Sequence, residues 1–445
     1  MGKDAAMLLA EKLGSLERVT LLDVLSNPLG EMGYLAIVGI LERDGSPVQS
    51  VCGLEHTSCR LKGRLRQVDC HLLAYELSPP ADSDLHPSKD AVRAGTRLTE
   101  LDLTDIEKPL GKDGKSTLGH AFRTRLDPRY PLTRLCLHLG MRGHLVDLHV
   151  ADVLDLSGLA LGPHDLDLVS GWMTHMCAVG ALGPLETLIL DNNPGLVGLV
   201  GKEHGELRKR DAHLDSWQLF CTALGKTQVK SFHCKNIGMG AKAAAMLAEI
   251  VTDGHDFARR LEELAMLENR IGDGGRTAFA RALFVEGQTT KATALRNLCV
   301  DLEQAGPLEL TTNEKSALEL RDMDMRPKDT LLIAAWGKTR WKALKRLDVS
   351  RNPNIFKRRV ERHSDSDVSD ADEDDEDRSS EEGGDFMTRR FRIAVLQCRS
   401  LAKADLSGYN DPFVSLQVDH LEEVRTATID QGGVAPVWGG GGGET

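Results

Sequence analysis

The feature that most constrains this chain is a frame of apolar residues that returns again and again along it. Its clearest copy runs from Leu261 to Leu283. Leu261, Leu264 and Met266 are spaced as in a short strand with one buried face, and Asn269 closes the run. Gly272 and Gly275 allow a turn, after which Ala278, Phe279, Ala282 and Leu283 recur at helical spacing. A second copy, Val19, Leu22, Val24, Asn27, Leu29, Gly30, Gly33, Ile37 and Leu41, keeps every interval. Partial copies open at Val48, Leu98, Leu132, Leu185, Val229, Leu295 and Leu344, with two weaker ones near Ala151 and Lys315. One strand and one helix cannot bury their apolar faces alone, so the frame predicts a stack of such units.

Each part of the unit has its own task. Parallel strands cannot be joined by a tight hairpin, so the helix is the crossover that returns the chain to the next strand. Asn27, Asn193, Asn269 and Asn352 stand where strands end, and are expected to hydrogen-bond turn backbone that the sheet leaves unpaired. An aromatic fraction of 4% beside 41% apolar residues suits a core of small and aliphatic side chains. Nine cysteines lie scattered without CxxC pairs, and Cys52, Cys136, Cys234 and Cys299 fall on expected strands as reduced thiols.

The frame resembles the leucine-rich repeat of the ribonuclease-inhibitor type. That resemblance implies an α/β solenoid over residues 1–356, parallel strands inside and helices outside, interrupted by loop insertions near 78–97 and 194–217. Helices are wider than strands, so the stack is expected to curve and to offer a concave strand face. Thr187, Asp191, His233, Lys235, Glu263, Arg346 and Asp348 are expected on it. The face is mixed in charge, with no continuous basic stripe for phosphates, so a protein and not a nucleic acid is the expected partner. The second insertion carries Lys202, Arg208, Lys209 and Arg210, which read first as a solvated face and second as a dock for an acidic partner.

Two stretches imitate nucleotide sites. GKDGKST, residues 111–117, ends like a phosphate loop, but the required first glycine falls on Pro109. GMGAKA, residues 238–243, has the look of a dinucleotide turn, yet its glycines sit where the repeat needs a turn of its own. His138, His175 and His233 occur singly, without HExxH or GxSxG companions. No catalytic residue and no enzymatic activity are expected.

Beyond the repeats the composition changes twice. Residues 361–385 hold thirteen acidic and two basic side chains, a net of −11 against −12 for the whole chain. Such self-repulsion predicts a disordered linker over 357–388, with Ser364, Ser366 and Ser369 as candidate acid-directed phosphorylation sites. From residue 389 to 445, FRIAVLQCRSLAKADLSGYNDPFVSLQV and the later APVW resemble the first part of a C2 domain, a calcium- and phospholipid-binding β-sandwich. In that family the loop aspartates ligate calcium, and the matching positions are Asp405 and Asp411. Calcium prefers about 6–8 oxygens, so the site is expected to be incomplete in this chain and calcium binding weak or absent.

Two readings of function follow. The first is a non-enzymatic adaptor, expected in the cytoplasm and at membranes, whose repeats hold a protein while the C2-like module docks on anionic membrane. The second is a regulator of a small GTPase, because repeats of this type before an acidic tail resemble the activating proteins of the nuclear-transport GTPase.

Overall fold

The computed structural model describes residues 2–355 apart from 14–17, 44–45, 55–56, 78–97, 125–130, 150, 202–205, 253, 284–293, 303–305, 313–316, 342–343, 345 and 353–354, together with 415–416 and 424–425. The chain divides between Lys357 and Arg358 into two units.

In the first unit, helix α1 (Lys3–Leu13) packs on α2 (Gly30–Glu42). Before α2 the chain makes only two isolated bridges, Leu21 to Ser50 and Asp23 to Cys52. The copy of the frame at Val19 thus supplies a good helix and no regular strand. Next come β1 (Ser58–Gly63), α3 (Gln67–Leu77), β2 (Glu100–Ile106), α4 (Lys112–Thr124), β3 (Arg134–Leu139) and β4 (His144–His149). β1, β2 and β3 are parallel neighbours, and β4 turns back antiparallel on β3.

A second sheet then begins. It is built from β5 (Val153–Asp155), α5 (Pro163–Ala178), β6 (Thr187–Ile189), the short pair β7 (Leu199–Val200) and β8 (Leu207–Lys209), α6 (Leu214–Leu224), β9 (Ser231–His233), α7 (Ala241–Ile250), α8 (Asp256–Arg260), β10 (Glu263–Ala265), α9 (Gly272–Leu283), β11 (Asn297–Leu302) and β12 (Gly306–Thr311). Its order is β5-β6-β9-β10-β11-β12, parallel except for the last strand, while β7 and β8 pair only with each other. Finally β13 (Ala317–Glu319), α10 (Pro327–Arg340) and β14 (Arg346–Asp348) close the unit, the two strands pairing in parallel. In the second unit a short antiparallel pair, β15 (Ser415–Leu416) with β16 (Val424–Arg425), is described.

The first unit is therefore α/β with parallel strands and crossover helices, but not one unbroken ladder. Two hairpins interrupt it. β4 takes the edge of β3 that β5 would have used, and β12 takes the corresponding edge of β11. A hairpin pairs with its neighbour across a few residues, whereas a parallel partner must wait for a whole crossover, so closing the short loop costs less entropy. The helix layer continues across both breaks, with α4 on α5 and α9 on α10. At the first, a Cβ on Gly171 would stand 2.1 Å from the Gly119 carbonyl oxygen, so the two helices meet backbone to backbone.

Strand burial alternates as the frame requires. Leu188, Phe232 and Leu264 are fully buried beneath half-buried Thr187, Ser231 and Glu263. The asparagines do what their positions demand. Asn269 donates Nδ2 to the Cys234, Met266 and Leu267 carbonyls and accepts from the Ile237 and Met239 amides at 3.2 Å. Asn193 and Asn352 bond in the same way, and each reaches back into the preceding unit: Asn193 to Leu156 and Leu161, Asn352 to Leu320, Met323 and Met325. One side chain therefore serves two turns, and the weak units near Ala151 and Lys315 are completed by their neighbours.

The helices that follow the irregular strands share one anchor. Asp69, Asp165 and Asp329 are each the third residue of their helix. In each, one carboxylate oxygen accepts an amide at the start of the helix, from Arg66, Gly162 and Arg326 respectively. The other oxygen reaches the preceding unit: the Ser26 amide, Lys115 Nζ at 2.5 Å and Arg276 Nε at 3.0 Å. Seven residues further on, Glu76, Trp172 and Trp336 each bond back to an earlier strand segment.

Candidate functional site

Across the middle of the second sheet, Thr187, Ser231 and Glu263 stand in register, as do Ile189, His233 and Ala265. Their alternate neighbours are buried, so these side chains project from the strand face opposite the core. Ser231 Oγ donates to Glu263 Oε2 at 3.0 Å and lies 3.0 Å from His233 Nε2, while that nitrogen is 3.6 Å from Glu263 Oε1. The trio is not a proton relay. A relay splits the two imidazole nitrogens between hydroxyl and carboxylate, whereas here one nitrogen faces both and the serine bonds the carboxylate directly.

Just past the strand ends, Asp191 accepts the Lys235 amide at 2.7 Å, and Lys235 Nζ pairs with Glu268 at 2.8 Å. That hydrogen bond pushes the Lys235 ammonium above its ordinary range, while burial pushes the Asp301 carboxyl up beside it. The result is a firm, half-buried polar surface of both signs. Its side chains are cross-linked to one another, so a partner would meet them already positioned.

Five of the seven residues expected on one face, Thr187, Asp191, His233, Lys235 and Glu263, do share this sheet. Arg346 and Asp348 do not. They sit on β14 in the separate two-stranded sheet, where Asp348 is held between Arg321 and Arg346 at 3.6 Å each. The bonds from Ser350, together with these guanidinium groups, draw its carboxyl below the ordinary value. The break at β12 is what separates them.

The first sheet carries its own charged face, which the repeat frame did not single out. Arg134 grips Asp147 through two nitrogens at 2.7–3.1 Å, Cys136 Sγ donates to the same carboxylate at 3.2 Å, and Arg60 bridges Asp102 and Asp105. The Arg134 hydrogen bond, aided by that from Cys136, outweighs the cost of burial and holds the Asp147 carboxyl below its usual range. The available signal was the alternation in HLVDLH, residues 144–149, four residues after RLCLHL: a hairpin pattern inside a repeat.

Both nucleotide look-alikes have structural occupants. Lys115, the lysine of GKDGKST, is buried against Asp165. At GMGAKA, Asp211 from the preceding insertion accepts the amides of Gly240, Lys242 and Ala243 at 2.7, 2.8 and 3.3 Å. Its carboxylate fills the place where a phosphate would lie. Gly238 has φ +79°, and a Cβ there would come 2.3 Å from the Pro194 carbonyl oxygen, so the repeat's packing alone requires that glycine.

Asp405 and Asp411, and Ser364, Ser366 and Ser369, lie outside the described residues. Among the described residues no group of three or more His, Cys, Asp or Glu is placed to hold a metal ion, and no helix is long and apolar enough to cross a membrane. None of the eight described cysteines is in a disulfide.

Residues 389–440 match the family model of the C2 domain. No curated protein matches the chain. The C2 match is consistent with calcium-related or membrane targeting.

Proposed function

We propose that this protein is a non-enzymatic adaptor. Its first unit acts as a leucine-rich repeat solenoid that holds a protein partner on the strand face of the second sheet. Its C2-like region directs it to anionic membrane in a calcium-dependent manner, with Asp405 and Asp411 as calcium ligands. The observation that carries the reading is the C2 match over residues 389–440. The half-buried, internally bonded row of Ser231, His233 and Glu263 supports the partner-binding part, because prepositioned polar groups lose little entropy on association.

The test is co-sedimentation of the full chain with phosphatidylserine vesicles. Calcium should increase the bound fraction, and Asp405→Asn with Asp411→Asn should abolish that increase. Vesicle binding that ignores both calcium and the substitutions would overturn the membrane reading. For the partner, a photo-crosslinking residue at Thr187 should capture protein that the same residue at Glu249, exposed on α7, does not. Equal capture from both positions would overturn the assignment of the face.

A further inference from the structure

The edge on which the helices begin carries several basic side chains beside the acids of their first turns. The first turn of a helix favours acids, because its free amides present a partial positive charge. Here Lys112 opens α4, His164 follows Pro163 in α5, His213 precedes α6 and Lys242 is second in α7, whose first turn has no acid. Arg270 stands two residues before α9, Arg208 lies in β8 and Arg210 directly follows that strand.

These side chains are neighbours in space. Ser116, one turn after Lys112, is 2.9 Å from His164 Nδ1, and both Lys112 and His164 act on the half-buried His213, whose own burial does most to lower its pKa. Asp211 pins the loop to the start of α7, bringing Arg210 alongside: a Cβ on Gly240 would lie 3.2 Å from Arg210 Cβ, and Arg210 Nη1 donates to the Met239 carbonyl at 3.4 Å. Arg270 is close enough to oppose the charge of Arg210.

Four of the nearby acids are bonded within the unit. Asp211 is taken up by three amides, Asp165 by Lys115, Asp167 by Ser116 and Asp273 by Arg276. Asp113 and Asp215 remain exposed on the same edge. Among the described residues Lys112, Arg208, Lys242 and Arg270 form no ion pair with any of them. These four cations, gathered without ion-pair partners, raise the local potential and favour an external anion.

We propose that this edge is a second interaction surface, distinct from the strand face, and that it binds an acidic peptide segment of a protein partner. A peptide fits better than a flat membrane because Lys112, Arg210, Lys242 and Arg270 follow one another along successive helix starts, a line that an extended chain can track. Nothing in this inference depends on the C2-like region.

The experiment is fluorescence anisotropy of a labelled oligoglutamate peptide with the full chain, across a salt series. Binding should weaken steeply as salt rises. Arg208→Glu, Lys242→Glu and Arg270→Glu together should reduce affinity at least tenfold, while the same charge change at exposed Lys3, Lys12 and Arg43 should leave it within twofold. If the triple variant does not fold, Lys242→Glu alone carries the test, with a loss of at least threefold expected. No peptide binding, equal loss in both variant sets, or binding to phosphatidylserine vesicles that depends on Arg208, Lys242 and Arg270 without peptide binding would each overturn the proposal.

Discussion

Replacing Asp165 with alanine should be among the most damaging single changes in the first unit. Asp165 is 4% exposed, and its Oδ1 lies 2.5 Å from the buried Lys115 ammonium while also accepting the Gly140 amide at 3.1 Å. Its Oδ2 accepts the Gly162 amide at 3.0 Å. Removing it strips a helix cap, a loss of about 1 kcal/mol, and orphans a buried amide, a loss of about 1–3 kcal/mol. It also leaves an ammonium buried without a counter-charge, typically about 3–5 kcal/mol. Since the contributions overlap, about 4–6 kcal/mol is expected in urea unfolding, accompanied by faster hydrogen exchange along α5. Lys115→Met added to Asp165→Ala removes the orphaned charge and should recover about 2 kcal/mol. A cost below about 1 kcal/mol for the single change, or a double variant no more stable than the single, would refute the reasoning.

Three further outcomes are expected. Asn269→Ala withdraws the side chain from three carbonyls and two amides in two adjacent units, and should cost about 3 kcal/mol or more by denaturant titration. Gly171→Ala places a methyl against the Gly119 carbonyl and should lower stability by about 1–3 kcal/mol, read as a fall in thermal midpoint. Glu76 gives a pH signature: burial raises its carboxyl above 4.5, and bonds from the Val51 amide, the Ser50 hydroxyl and the Cys52 amide only partly offset this. The fold thus favours its protonated form, a contribution fully present below the unfolded value and lost as pH rises through the raised one. Stability relative to Glu76→Gln should therefore increase as pH falls toward 4.5, and a slope of the opposite sign in urea titrations would contradict this.

Much of the array was legible because its signals are local. The interval between Leu264 and Met266 places both on one side of any strand they form, and the asparagine after them can only meet backbone that the strand has released. The strand-face row of Thr187, His233 and Glu263 followed from the same alternation. Three things were not legible. The Val19 copy has every residue of the frame but makes only bridges, because a strand exists only where a neighbour pairs with it. The weak units near Ala151 and Lys315 lack an asparagine of their own and borrow one from the unit that follows. Arg346 left the expected face because β12 had closed the sheet before it.

By itself, then, the sequence determined the kind of unit, its polarity from strand to helix, and the side chains that stop each strand, all of them consequences of spacing within about two dozen residues. Only the tertiary structure decided where the ladder breaks and what fills the two nucleotide-like turns. Those outcomes depend on partners far along the chain. Asp165 meets Lys115 from fifty positions along the chain, and Asp211 reaches the start of α7 from a separate loop. A carboxylate at either place looks like any other acid until folding brings it to the group whose charge or free amides it satisfies.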